Sequence, residues 1–178
     1  MADHLEAPEE IEVQTIMSEA RQHSLSYEII MDQDHPRKLE LFIKMAEREI
    51  FIASGWIKNS VISKIEKLLL EKLQSPDFKV HLLYGYAKNG NVSSDGALDR
   101  LKKIQVRYPN LMLYNVHEEF HCKAVVVDER IIAIGSYNWL SNTGRTSKEW
   151  SMVMTDRKVA EDIKNRLFLP SINKARAA

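Results

Sequence analysis

Residues 121–138 read His121-Cys122-Lys123-Ala124-Val125-Val126-Val127-Asp128-Glu129-Arg130-Ile131-Ile132-Ala133-Ile134-Gly135-Ser136-Tyr137-Asn138. Two apolar, strand-forming runs flank Asp128-Glu129-Arg130, so the stretch predicts a β-hairpin turning on those three residues. Val127 then faces Ile131, and the register pairs Lys123 with Gly135 and His121 with Tyr137. The strands return on each other, which lands Ser136 and Asn138 beside His121 and Lys123. Side chains alternate along a strand, so His121 and Lys123 share one face and Cys122 points to the other. Cys122 therefore reads as a buried thiol rather than a nucleophile.

The same geometry separates Asp128 from the site. Seven residues of strand put it roughly 20 Å from His121, too far to orient that imidazole within one chain. Asp128 reads as a turn and structural residue. A different carboxylate is needed to hold the histidine tautomer. Glu149, at the start of the next strand after the loop Leu140 to Lys148, is the candidate.

Outward from the hairpin the pattern alternates. Pro36 can open a helix with Leu39, Phe42, Ile43, Met45 and Ala46 on one face. Ile50 to Ser54 is a short strand. Asn59 or Ser60 can cap a helix carrying Val61, Ile62, Ile65, Leu68, Leu69 and Leu73. Lys79 to Tyr84 is a strand, and 85–96 a polar loop. Ser94 or Asp95 can cap a helix that ends before Pro109. Leu111 to Val116 and Trp150 to Met154 are strands, and Lys158 to Phe168 is a last helix ending before Pro170. Helices alternating with strands predict one α/β domain, a mixed β-sheet flanked by helices. Residues 1–12 read as a disordered start, and 13–23 have helical spacing with weak caps.

With 178 residues, 44% hydrophobic and 28% charged, the chain has the composition of a globular domain with a sizeable core. No apolar run reaches the ~18 residues of a membrane span. The acidic start has no apolar core of a secretory signal. Cys122 stands alone, so no intrachain disulfide forms, and the expectation is a cytoplasmic protein. Formal net charge is zero, but it is unevenly spread. Residues 1–34 carry nine acids and one base (Arg21), whereas 35–178 carry 24 bases and 16 acids. The boundary is read as an acidic N-terminal segment, 1–34, partly disordered or a linker, followed by a catalytic domain, 35–178. The basic domain suits a phosphate-bearing partner, though a solvated surface has the same composition.

The spacing of His121, Lys123, Asp128, Gly135, Ser136 and Asn138 resembles the HxK(x4)D(x6)GSxN signature of the phospholipase D superfamily. The resemblance implies an αβα sandwich and a phosphodiesterase. It implies that His121 attacks phosphorus to form a phosphohistidine, while Lys123 and Asn138 hold the non-bridging oxygens with Ser136 in support. It places a glutamate beyond the GSxN segment on the catalytic histidine, a position Glu149 matches. It implies no metal and no cofactor, because the lysine and amide donors supply the charge stabilisation. The family's two-motif members bring two histidines in one chain. This chain has one copy, so it resembles the small single-motif bacterial nucleases, and a homodimer sharing its site between two subunits is expected.

The expected substrate is nucleic acid, DNA or RNA. Arg145, Lys148 and Lys88 are candidate phosphate contacts or ordinary solvated charges. Trp56, Tyr86, Tyr137 and Trp139 could stack bases or belong to core and rim. Two alternatives stand beside the nuclease: a phosphatidyl hydrolase or transferase using the same phosphohistidine, and a non-enzymatic nucleic-acid-binding or dimerisation domain of a larger protein with fused or associated domains. A membrane partner is not expected. His117-Glu118-Glu119-Phe120-His121 also matches H-E-x-x-H, but that zinc pattern needs a helix. Here it bridges two strand-forming runs, and the only other histidine at hand is the distant His81. His117 reads as a strand-end residue, and His4, His23, His35 and His81 carry no motif.

Overall fold

The structure of the chain, a computed structural model, describes residues 26–85, 95–116, 120–144 and 148–177. Its centre is a seven-stranded mixed sheet. The strands are β1 (Tyr27–Met31), β2 (Glu49–Ala53), β3 (Lys79–Tyr84), β4 (Leu111–Asn115), β5 (Ala124–Val127), β6 (Ile131–Gly135) and β7 (Trp150–Thr155). Their spatial order is β1-β7-β6-β5-β2-β3-β4. β2, β3 and β4 run parallel, and the pairs β2–β5, β5–β6, β6–β7 and β7–β1 are antiparallel.

Helices α1 (Asp34–Met45), α2 (Asn59–Leu73) and α3 (Ala97–Arg107) cover one face. There Leu39, Phe42, Ile62, Leu69 and Leu101 pack on Ile50, Ile52, Val80, Leu82, Val125 and Ala133. The other face, with Phe51, Ala53, Leu83, Val126 and Ile132, is covered by α4 (Arg157–Ile163) and α5 (Leu169–Ala177) through Ala160 and Ile172. Alternating strand residues thus feed two separate apolar layers, the period-2 logic of a sheet buried on both sides. The αβα sandwich expected from the sequence is the fold found.

Three boundaries differ from the sequence reading, each for a physical reason. The helix after β7 does not stop before Pro170. A π-helical turn, Lys164–Phe168, joins α4 to α5, and the Leu169 amide donates to the Lys164 carbonyl. Pro170 then occupies the first turn of α5, where a missing N–H costs least. Residues 27–31, grouped by sequence with the acidic N-terminal segment, form edge strand β1 along β7. Only Ile30 of that strand is buried, so its burial left little trace in the pattern. The α2 N-terminus takes its cap from elsewhere: the Asp95 carboxylate accepts the Asn59 amide at 2.7 Å and the Ala97 amide at 3.2 Å, serving two helices. The expected helix over 13–23 and the Ser94 cap lie outside the described residues.

Candidate active site

The hairpin register is as the sequence predicts. Val127 pairs with Ile131 and Ala124 with Ile134. The Gly135 amide donates to the Lys123 carbonyl at 3.4 Å, carrying the pairing beyond the regular ladder. His121, Cys122 and Lys123 lie outside regular secondary structure, just before β5. The strand directions bring the ends of β2, β3 and β6 and the starts of β5 and β7 to one edge of the sheet. His121, Lys123, Gly135, Ser136 and Asn138 collect there, at the carboxyl ends of the parallel strands, where open α/β sheets place their ligands.

Lys123 is half-buried and makes two contacts with the motif histidine. Its ammonium lies 3.1 Å from His121 Nδ1 and donates to the His121 carbonyl at 2.8 Å. Burial lowers the Lys123 pKa, and the Glu149 carboxylate opposes that shift. Glu149 is therefore close enough to act on the cation electrostatically, and its field also reaches His35 and Tyr137. Cys122 is half-buried, and burial raises its thiol pKa against the pull of Lys123. A thiol held protonated in this way is a poor nucleophile.

Gly135 has no room for a side chain. An added Cβ would sit 2.1 Å from the Trp150 carbonyl oxygen and 2.6 Å from Ser151 Cα. That close approach lets Ser136 lock onto β7: its amide donates to the Trp150 carbonyl at 3.0 Å, and its hydroxyl accepts the Trp150 amide at 3.2 Å. Asn138 is held by its backbone, its carbonyl accepting the amides of Ser141 and Asn142 at 3.1 and 2.9 Å. Its Oδ1 is buried without a partner among the described residues. The following loop is tied to the end of β2: Leu140 donates to Ser54 Oγ and the Lys58 amide to the Leu140 carbonyl. Tyr137 and Trp139 are fully buried; they are core, not surfaces for stacking bases. Trp56 is partly buried in the neighbouring loop.

Asp128 lies at the opposite end of the hairpin. Its carboxylate accepts the amides of Glu47, Arg48 and Glu49 at 2.8 to 2.9 Å. Asp128 and Glu129 both have positive φ, +51° and +54°. Asp tolerates that conformation through local hydrogen bonds; Glu129 is held there by Lys164, which also binds Glu49.

The sequence reading overlooked a support beneath the site. Asp32 accepts the Glu149 amide through its carboxylate at 2.8 Å and donates its own amide to the Glu149 carbonyl at 3.0 Å. His35 is fully buried, stacked on Tyr137 at 3.9 Å, with one ring nitrogen on the Asp32 carbonyl and the other on Ser151 Oγ, each at 3.0 Å. Asp32, His35 and Ser151 thus fix the Glu149 segment against the GSxN loop. Nothing in local sequence marks them; the contacts of Asp32 with Glu149 and of His35 with Ser151 span more than 110 residues. Lys148 is exposed beside Glu149. Lys88, Tyr86, Arg145 and His117 lie outside the described residues, as do His4 and His23. Among the described residues, no group of His, Cys, Asp and Glu is arranged to hold a metal ion, and no helix is long and apolar enough to cross a membrane.

Comparison with known proteins agrees with this fold. A search of curated protein sequences found no match. Among solved structures, NucT from Helicobacter pylori aligns with a TM-score of 0.66 at 18% identity, covering 85% of this chain and 98% of that one. Nuc from Salmonella typhimurium, a phospholipase D family member, aligns at 0.60 and 16% identity, covering 85% and 94%. The phosphatidylserine synthase of Haemophilus influenzae Rd KW20 aligns at 0.57 and 13% identity over 98% of this chain and 47% of that one. At these identities the likeness is one of fold. The family described as cardiolipin synthase, PLD-like domain, matches residues 39–167. That span covers most of the sheet and all of the signature, and the chain belongs to this phospholipase D-like family.

Proposed function

We propose that the protein is a metal-independent phosphodiesterase, an endonuclease on DNA or RNA, whose active site is completed by a second copy of the chain. The observation that carries this reading is the gathering of His121, Lys123, Ser136 and Asn138 at one sheet edge, with the Lys123 ammonium 3.1 Å from His121 Nδ1. His121 Nε2 attacks phosphorus, and the P–N bond forms as the P–O bond to the leaving group breaks. The partner's copy of this histidine protonates that leaving oxygen, then takes a proton from water. The water oxygen attacks phosphorus, the P–N bond breaks, and the imidazole is returned. Lys123 and the Asn138 amide hold the non-bridging oxygens through both steps. Glu149 orients His121.

Two features support a shared site. The chain carries one copy of the motif, and the chemistry needs two proton-handling imidazoles. An apolar strip also adjoins the site: Tyr27, Ile29, Met31 and Trp150 are between 45% and 62% exposed on one face of β1 and β7. Such a strip suits burial against a partner. Nucleic acid is favoured by the eight-base surplus of residues 35–178. The test is cleavage of single-stranded DNA, duplex DNA, RNA and phosphatidylcholine in EDTA. The expected result is nucleic-acid cleavage that His121→Ala abolishes while binding persists. Cleavage of the lipid alone would make the protein a phosphatidyl hydrolase. Binding without turnover in the wild type would make it a binding domain.

A further inference from the structure

A pocket of about 250 Å³ opens beside His121, lined by Val116, Phe120, Cys122, Leu167, Pro170 and Lys174, with Ser171. Its floor is apolar: Val116 and Phe120 are buried, and Leu167 packs against the same apolar layer. Its rim is polar, carrying the Ser171 hydroxyl and the Lys174 ammonium. Helix α5, which supplies that rim, has two bases, Lys174 and Arg176, and no acid.

The wall is shaped by the π-helical turn Lys164–Phe168. A π-turn inserts one residue into a helix and redirects the side chains that follow, and such turns recur at functional sites. Here it seats Phe168 wholly in the core and leaves Leu167 at the pocket. Pro170, which has no N–H to give, follows it in a continuous helix. Lys164 anchors the turn through Glu49 and Glu129. Of the signature residues only His121 lines this pocket; Lys123, Ser136 and Asn138 and the supports Asp32, His35 and Ser151 do not.

We propose that this pocket receives the nucleobase next to the scissile phosphate, with Lys174 on the adjoining phosphate. The inference rests on the nuclease reading above and names a subsite of that same centre. At about 250 Å³ it is smaller than the roughly 300–1,000 Å³ that encloses a whole small-molecule ligand. It therefore fits one unit of a longer substrate whose reacting phosphate lies at His121. A flat aromatic unit suits the side chains of Phe120, Leu167 and Pro170, since every base offers a π-face to such walls. A cation at the rim suits a polyanion, which carries one charge per nucleotide. An acyl chain would need a longer apolar channel and no rim cation.

The test compares two substrates, an oligonucleotide and bis(p-nitrophenyl) phosphate, which has the phosphodiester but no base or neighbouring phosphate. Leu167→Trp fills the pocket, and exposed Lys174→Ala removes the rim cation without threatening the fold. The kcat/KM ratio of oligonucleotide to small diester is expected to fall tenfold or more in Leu167→Trp, chiefly through KM, and several-fold in Lys174→Ala. Lys174→Ala should also flatten the salt dependence of oligonucleotide binding. A ratio unchanged in both variants overturns the subsite, as does an equal fall on both substrates. If the wild type cleaves the small diester but no nucleic acid, the parent reading has failed. Oligonucleotide binding to His121→Ala then decides the subsite: weaker binding on adding Leu167→Trp or Lys174→Ala upholds it, and unaltered binding overturns it. Loss confined to phosphatidylcholine cleavage would assign the pocket to a lipid chain and overturn the nucleobase proposal.

Discussion

The Lys123 ammonium sits 3.1 Å from His121 Nδ1. An ammonium has only donors, so Nδ1 is the acceptor, and a neutral His121 carries its proton on Nε2. That tautomer has no lone pair at Nε2 with which to attack phosphorus. Reaction therefore requires Lys123 to leave Nδ1, and a substrate phosphate is the natural group to draw it away. The expected outcome is a tautomer switch. Nitrogen-15 spectra of the free protein should show His121 protonated at Nε2, and addition of vanadate or tungstate as a phosphate mimic should move the proton to Nδ1. An unchanged tautomer on saturation would sever the link between lysine release and histidine activation.

Glu149 and Lys123 should be coupled in the pH profile. Burial lowers the Lys123 pKa, and the Glu149 carboxylate counteracts that shift because it favours the cation. Glu149→Gln removes the counteracting charge, so Lys123 loses its proton at lower pH. The alkaline limb of kcat/KM is expected to move to lower pH, alongside a loss of about 10²-fold or more from the disoriented histidine. Activity lost with the alkaline limb in place would limit Glu149 to the histidine.

Asp128 belongs to the signature but should matter to stability rather than turnover. Its carboxylate accepts three backbone amides and is 6% exposed. Asp128→Ala strands those donors, and a loss of at least about 3 kcal/mol is expected from charge-assisted hydrogen bonds of this kind. Denaturant melts check the first half of this statement. The second half is that kcat of the folded fraction stays within a few-fold of wild type at low temperature. A collapse of kcat in fully folded protein would return Asp128 to the chemistry.

His81 gives the fold an acid sensitivity separate from the active site. It is stacked on Phe51 at 4.1 Å, with Nδ1 3.4 Å from the Tyr114 hydroxyl and Nε2 buried without a partner among the described residues. Desolvation and the nearby Lys164, Lys79 and Arg176 push its pKa down to about 4. The unfolded chain takes up the proton near 6.5, so it binds more protons than the folded chain between those values. Stability is full above about pH 6.5 and falls as pH drops toward 4, by on the order of 3 kcal/mol. His81→Leu should flatten that slope in denaturant melts at pH 4.5 and 7.5. A slope unchanged by the substitution would place the acid sensitivity elsewhere.

The hairpin was legible because everything that defines it is local. Val127 opposite Ile131, the turn at Asp128 and the shared edge for His121, Lys123, Ser136 and Asn138 follow from strand alternation and spacing. Lys123 and Glu149 lie within electrostatic reach of each other, a proximity that the sequence, which offers Glu149 as the partner of His121, does not announce. Asp32 and His35 could not be read, since their partners Glu149 and Ser151 are brought close only by β1 docking on β7. β1 itself hid because an edge strand with one buried side chain has no amphipathic pattern. Pro170 misled because proline normally stops a helix, and a π-turn absorbed it. Tyr137 and Trp139 look like base-stacking candidates in sequence, but their side chains fill the space between α1 and the sheet, where they pack on His35 and Phe42.

The shared site is tested most directly by co-expressing wild-type and His121→Ala subunits in varied proportion and assaying the mixed population. If each site needs both histidines, only pairs of wild-type subunits turn over, and activity per total protein follows the square of the wild-type fraction. Activity that falls in direct proportion to that fraction would mean that one subunit suffices, and would contradict the two-histidine account.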